Sequence, residues 1–245
     1  MASAVRPAVS TVSDRHPSLA QRLGFWSAIA CTVTSAGFGV GIVITLFRFK
    51  QEAWTGDITG YAGSYDPVQM ALTVVPSILL APSFLGLVAA VQQIARPEKR
   101  MWTQLAAMFA VLYAGIVAVN YFLQLTVVRQ DLLAGVTEGM SLFAMGNPVS
   151  IFWALEILGY FCQGVAAMFM ATVFAGGGLA AWVRWMLLAV FITVVVGVAA
   201  AIQGIEFANP MFAAGSGAWT LVFPVAMLLC ATYFRRHPSI GKGGV

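Results

Sequence analysis

The sequence predicts an all-α protein, a polytopic transmembrane bundle of about six spans with both termini in the cytoplasm. Three observations predict it. Of the 245 residues, 60% are hydrophobic and 9% are charged, and mean hydropathy is +0.87. A soluble domain is about 45–50% apolar and about 25% charged. Six apolar runs reach the length of about 20 residues that a bilayer requires, and the basic residues are unevenly divided between alternate loops.

The elements follow in order along the chain. Residues 1–22 are polar, with several prolines and hydroxyl side chains, and we expect a flexible cytoplasmic tail. The first apolar run, 23–47, is longer than the apolar region of a cleaved signal peptide, which has about 7–15 residues. This length predicts a retained helix. Residues 23–234 then form one six-helix domain, and 235–245 form a second cytoplasmic tail. The other spans are predicted at 67–94, 102–127, 148–175, 181–203 and 210–234.

Basic residues set the predicted orientation. Of 13 lysines and arginines, all but Arg48, Lys50 and Arg129 fall on the side that holds both termini. The positive-inside rule places that side in the cytoplasm, so we expect a multi-pass protein of the plasma membrane. The net charge of +4 then reflects topology, and no nucleic-acid partner is needed to explain it.

The scarcity of reactive side chains excludes several functions. His16 and His237 lie in the polar tails, which excludes haem held by intramembrane histidines and HExxH metalloproteases. No lysine lies inside a span, so a retinal Schiff base is excluded. The three cysteines are isolated, without a CxxC pair. We expect no metal site and no cofactor.

Glu156 is the clearest carboxylate within a span, roughly 12 Å below the predicted start of span four. A charge at that depth is costly, so the side chain should face protein or a wet cavity. Tyr160 and Gln163 follow at i+4 and i+7, on the same helical face. These residues predict a polar stripe that points into the bundle.

Neighbouring spans carry matching polar stripes near the same depth. Asn120 and Gln124 share a face of span three, and Gln69, Thr73 and Ser77 share a face of span two. We therefore predict a polar pocket that opens outward. An alternative is a purely structural network, such as Glu156–Asn120–Tyr160, with interhelical bonds worth about 0.6 kcal/mol each. The predicted ligand-binding residues are Glu156, Tyr160, Gln163, Asn120, Gln124, Trp153 and Thr73.

Local motifs add four expectations. The pairs Asp66–Pro67, Asn147–Pro148 and Asn209–Pro210 each open a span as N-cap and first helical residue. Residues 129–143 mix apolar and charged side chains at roughly helical spacing, which predicts a short amphipathic helix on the membrane or capping the bundle.

Two prolines, Pro76 and Pro82, predict kinks in span two. The Gly37-x3-Gly41 spacing predicts close helix packing, within the chain or in a homodimer.

The stretch Asn147-Pro148-Val149-Ser150-Ile151-Phe152-Trp153-Ala154-Leu155-Glu156, followed by Gly159-Tyr160, resembles a stretch that recurs in bacterial integral membrane proteins of six or seven helices whose activity is uncharacterised. By general layout the resemblance extends over about residues 68–234. It implies the fold class and no activity, so no residue role follows from it.

Three functions remain open from the sequence. The first is binding, with or without carriage, of a small amphipathic molecule or lipid whose polar end meets Glu156, Asn120 and Tyr160. The second is a terpene-cyclase-like intramembrane enzyme, with Glu156 as general acid. In that enzyme, aromatic faces of Trp153, Tyr160, Tyr121 and Phe152 would steady a carbocation. The third is a structural accessory subunit without a ligand.

The predicted topology can be tested with reporter fusions expressed in a bacterial host. Green fluorescent protein joined after Val245 should fluoresce, and alkaline phosphatase joined after Glu138 should be active, because the first folds in the cytoplasm and the second outside it. Alkaline phosphatase after Val245 is the matched control and should be inactive. The reverse pattern would refute the orientation.

Overall fold

The computed structural model describes residues 18–48, 54–204 and 210–237. Over these residues the protein is helical without strands, and six helices are long and apolar enough to cross a membrane, which confirms the predicted fold class. Residues 1–17, Glu206, Asn209 and the tail from 238 onward lie outside the described residues, so the expectations placed on them stay predictions. The spanning helices are α1 (Leu19–Arg48), α2 (Pro67–Ile94), α3 (Arg100–Leu123), α4 (Ile151–Ala171), α5 (Leu179–Ile202) and α6 (Pro210–Arg236).

Two helix ends reach into the segments predicted as tails. Helix α1 begins at Leu19, because the Ser18 hydroxyl accepts a hydrogen bond from the Gln21 backbone N–H over 3.2 Å and caps the first turn. Helix α6 continues to Arg236, where two arginines suit the negative end of the helix dipole.

The six helices form a closed ring in which each packs on the next along the chain and α6 packs on α1. Gln21 Nε2 of α1 donates to the Phe234 carbonyl of α6 over 2.9 Å. Gly39 lies against Thr220, nearer the other end of the same two helices. The two helices are therefore antiparallel, and the start of α1 and the end of α6 share what we call the termini end. The opposite end is called the distal end.

An aromatic column fills the centre of the ring. Phe84 of α2 lies 5.7 Å from Tyr113 of α3 and 6.0 Å from Phe223 of α6, measured between ring centroids. Tyr160 of α4 lies 4.7 Å from Trp219 of α6 and 5.8 Å from Tyr113. We call these five residues the aromatic column. Because the rings meet edge-on, tilted or stacked across the ring of helices, the bundle has a packed core at this level.

Helix α2 runs continuously through both of its prolines. Pro76 cannot donate to the carbonyl of Leu72, four residues earlier, so that carbonyl is left without its helical partner. Gly41 of α1 packs directly against the Leu72 carbonyl, and Gly37 lies beside Pro76. The Gly37-x3-Gly41 spacing thus mediates packing between α1 and α2 within one chain.

The distal end is covered by what we call the distal cap, residues 58–65 and 128–143. A π-helical turn, Gln124–Val128, carries α3 on into the short helix Arg129–Leu133, and Val128, Leu132 and Met140 pack together against the short helix Ile58–Gly63. The prediction of one amphipathic helix over 129–143 is wrong. Gly135, with a positive φ angle of 76°, follows the end of the helix at Leu133, and Gly139, with a φ angle of 73°, precedes the separate short turn Met140–Leu142.

Tyr61 and Tyr65 are partly buried aromatic residues of the distal cap beside α2. Burial raises the pKa of Tyr61 above its usual value and raises the pKa of Tyr65 to about 12. Both side chains therefore stay neutral at physiological pH. The Tyr65 hydroxyl donates to the Met70 sulfur over 3.3 Å, which ties the cap to the first turn of α2.

The Asx–Pro pairs behave differently from one another. Asp66 caps α2 as predicted, with Oδ1 accepting from the backbone N–H of Val68 and of Gln69 at 2.7 and 3.2 Å. The prediction for Asn147 is wrong, because its Oδ1 accepts from Val149 in a turn and Ser150 holds the N-cap position of α4. Helix α4 therefore begins at Ile151, and Glu156 lies about 8 Å along it.

Close backbone contact between α5 and α6 gives a direct test of this packing. A Cβ added at Gly215 would lie 2.8 Å from the Gly197 nitrogen, whereas one added at Gly217 would meet nothing within 4 Å. We expect Gly215→Ala to lower the free energy of unfolding by about 1–3 kcal/mol, because the helices must separate. Thermal unfolding in detergent measures it, with Gly217→Ala as the matched control. Equal midpoints for the two variants would contradict the helix contact.

Candidate functional site

Glu156 is buried between α3 and α4, with 7% of its surface exposed. Its Oε1 accepts a hydrogen bond from the Tyr121 hydroxyl over 2.5 Å, and its Oε2 accepts from Asn120 Nδ2 over 3.2 Å. The same Asn120 amide donates to the Phe152 carbonyl over 3.2 Å. Glu156, Asn120 and Tyr121 form what we call the Glu156 centre, which joins two neighbouring helices.

Local packing brings these groups into range. Gly159 of α4 lies against Val117 of α3, and a Cβ there would be 3.0 Å from Val117 Cγ2. The helices can therefore approach closely one turn from the carboxyl. Phe152 and Glu156 stand four residues apart on one face of α4, so the Asn120 amide reaches both.

The partners of the carboxyl are neutral donors. The only basic residues within the six described helices are arginines. They lie in the first or last two turns, away from the middle of the bundle. Tyr121 and Phe152 place their rings edge to face, with centroids 5.7 Å apart, beside the carboxyl. The Glu156 centre is thus an acidic group in a mainly aromatic and apolar setting, held by two hydrogen bonds and no counter-ion.

Several buried polar atoms next to this centre form no hydrogen bond with a described residue. They are the Tyr113 hydroxyl, the Tyr160 hydroxyl and Gln163 Nε2. The Tyr160 hydroxyl lies close to those of Ser77 and Tyr121. Gln163 uses its Oε1 to accept from the Trp219 indole over 3.0 Å, which leaves its amide donors free of a protein acceptor. Buried polar groups are nearly always paired, so these atoms require an explanation.

The predicted stripes do face the interior. Glu156 and Gln163 of α4, and Asn120 and Gln124 of α3, are all buried. Tyr160 is half-buried, with a buried hydroxyl. The hydrogen-bonded triad, however, contains Tyr121 in place of the expected Tyr160.

Five of the seven predicted residues lie outside the Glu156 centre: Tyr160 and Gln163 as described above, and Gln124, Thr73 and Trp153. Gln124 donates to the Phe143 carbonyl over 2.8 Å and so belongs to the distal cap. Thr73 donates to Met70 of its own helix over 3.2 Å, and Ser77, one turn further, is the buried hydroxyl of α2. Trp153 donates its indole N–H to the Met145 carbonyl over 2.8 Å, beneath the loop that precedes α4.

Sequence reasoning missed Tyr121 as the strongest partner of Glu156. The signal was present, because Tyr121 follows Tyr113 by eight residues and Val117 by four, on the same face of α3. The sequence predicts a role for the Tyr121 ring alone, and the structure adds its hydroxyl as a donor to Glu156.

Comparison with known proteins gives no match to a protein family, to a curated protein or to a solved structure. Among residues 18–48, 54–204 and 210–237, no three histidine, cysteine, aspartate or glutamate side chains could together hold a metal ion.

Two tyrosines on α3 provide a matched test of the Glu156 centre. Tyr121→Phe removes a donor from a buried carboxyl, and we expect the free energy of unfolding to fall by about 1–3 kcal/mol. Tyr113→Phe removes a hydroxyl without a protein partner and should be neutral or stabilising in ligand-free protein. Denaturation in detergent, followed by helical circular dichroism, measures both. Similar losses in the two variants would refute the assigned hydrogen bond.

Proposed function

We propose that this integral membrane protein binds a small amphipathic molecule or lipid, with the polar end of that molecule at the Glu156 centre. The observation that carries the proposal is the group of unpaired buried atoms on Tyr113, Tyr160 and Gln163. A polar group of a ligand would satisfy them, since unpaired polar atoms in a low-dielectric interior are costly. A network that was purely structural would be expected to pair its own atoms.

The arrangement favours a particular ligand chemistry. Both Glu156 oxygens accept hydrogen bonds, the tyrosine hydroxyls can donate or accept, and Gln163 Nε2 can only donate. A ligand hydroxyl can donate to a tyrosine or carboxyl oxygen and accept from Gln163. Because the aromatic column fills the centre of the ring, the hydrophobic part of the molecule would lie between neighbouring helices, against their apolar side chains.

We also propose a direction of access. Glu156 lies about 8 Å along α4 from the distal end, closer to that end than to the termini end. Access from there requires displacement of the distal cap or entry between helices. The excess of basic residues at the termini end supports placing the distal end outside the plasma membrane.

Native mass spectrometry of protein purified in mild detergent tests the proposal. Wild type should retain a small molecule or lipid, and Glu156→Gln should lose it. Tyr160→Phe should lose it too, because the proposed ligand uses the buried Tyr160 hydroxyl. Tyr233→Phe, near the termini end, is the control and should retain the ligand.

Two outcomes would contradict the proposal. Wild type without any retained molecule, even after incubation with total lipid extract, would leave the unpaired atoms unexplained by a ligand. Retention by Tyr160→Phe equal to that of wild type would show that the molecule binds elsewhere. If Glu156→Gln fails to fold and Tyr160→Phe folds normally, the result would support the alternative of a structural accessory subunit.

A further inference from the structure

A second potential binding site lies at the termini end, away from the Glu156 centre. A cleft of about 390 Å³ opens between the first turns of α1 and the last turn of α6. It is open to the surroundings on one side. Its lining residues are Gln21, Arg22, Phe25, Trp26, Phe234 and Arg235.

We propose that this cleft binds the headgroup of an anionic phospholipid, one whose headgroup also carries a hydroxyl. Arg22 and Arg235 come from different helices and are both exposed, so their guanidinium groups can meet one phosphodiester from two sides. Glu98 is the only acidic residue that the described chain places at the termini end, so the arginines there outnumber the acids.

Apolar groups in the cleft favour a lipid over a free phosphate ion. Trp26 is 65% exposed, and Phe25 and Phe234 line the cleft beneath the arginines. Tryptophan at a helix end is typical of the headgroup level of a bilayer. The glycerol backbone and the first carbons of the acyl chains can pack on these rings while the phosphate meets the arginines.

Gln21 supplies the reason for a hydroxyl-bearing headgroup. Its Nε2 donates to the Phe234 carbonyl, which fixes the amide, and its Oε1 is buried without a hydrogen-bond partner. That oxygen can only accept, so it matches a donor on the ligand. Phosphatidylglycerol carries two hydroxyl donors beside its phosphate, and basic pockets between helices are known to bind anionic headgroups.

Titration of the full-length protein in detergent with phosphatidylglycerol, phosphatidic acid and phosphatidylcholine, read by native mass spectrometry, tests this site. Wild type should bind one phosphatidylglycerol in preference to the other two. The double variant Arg22→Gln/Arg235→Gln should bind it about 30-fold more weakly, since both cationic contacts are lost. Arg184→Gln is the matched control, because Arg184 lies at the same end and contacts Trp185 outside the cleft.

Four results would overturn the proposal. Equal phosphatidylglycerol binding by the double variant and wild type would show that the two arginines do not bind the lipid. An equal loss in Arg184→Gln would indicate general surface attraction. Displacement of the lipid by millimolar inorganic phosphate would indicate an ion site. Equal binding of phosphatidic acid and phosphatidylglycerol would show that Gln21 does not recognise a headgroup hydroxyl. Because Glu156 does not line this cleft, Glu156→Gln should bind phosphatidylglycerol there as wild type does, even where the ligand of the Glu156 centre is lost.

Discussion

The hydrogen bonds of the Glu156 carboxyl constrain the packing of α3 against α4. A carboxyl group at this depth must keep its oxygens paired, and both partners come from the neighbouring helix. The close approach at Gly159 and the i to i+4 spacing of Phe152 and Glu156 allow those hydrogen bonds to form. The same helix pair positions the loop before α4 and the distal cap. Trp153 of α4 donates to the Met145 carbonyl of that loop, and Gln124, at the end of α3, donates to the Phe143 carbonyl of the cap.

The rest of the bundle is organised around a different kind of contact. Glycines let backbones touch where α1 meets α2 and where α5 meets α6, and the aromatic column fills the centre that these contacts leave. In a membrane, van der Waals packing of this kind drives helix association, because lipid tails are as apolar as the helices. The Glu156 centre and the aromatic column lie next to each other, and the Tyr160 hydroxyl of the column lies near the hydroxyls of Ser77 and Tyr121.

Much of the fold was predictable because the hydropathy of each span depends only on the residues within that span. The six spans, the cap at Asp66 and the inward faces of α3 and α4 required only local patterns. Contacts between distant segments were not predictable in this way. The sequence places Tyr121 on the inward face of α3, but its hydrogen bond to Glu156 of α4 joins two helices and is not visible in the pattern of either one. The π-helical turn at Gln124 carries no recognisable sequence signal. Gly135 and Gly139 do carry a signal, and it argued against the longer helix that apolar spacing suggested.

The central claim is that the unpaired atoms around Glu156 belong to a binding site. An experimental structure of the protein in a lipid nanodisc, at a resolution that shows side chains and waters, tests it most directly. The account predicts density for a non-protein molecule within hydrogen-bonding distance of Tyr160 Oη and Gln163 Nε2. It would be contradicted if those atoms paired with each other or with neighbouring side chains, or if ordered water alone filled the space.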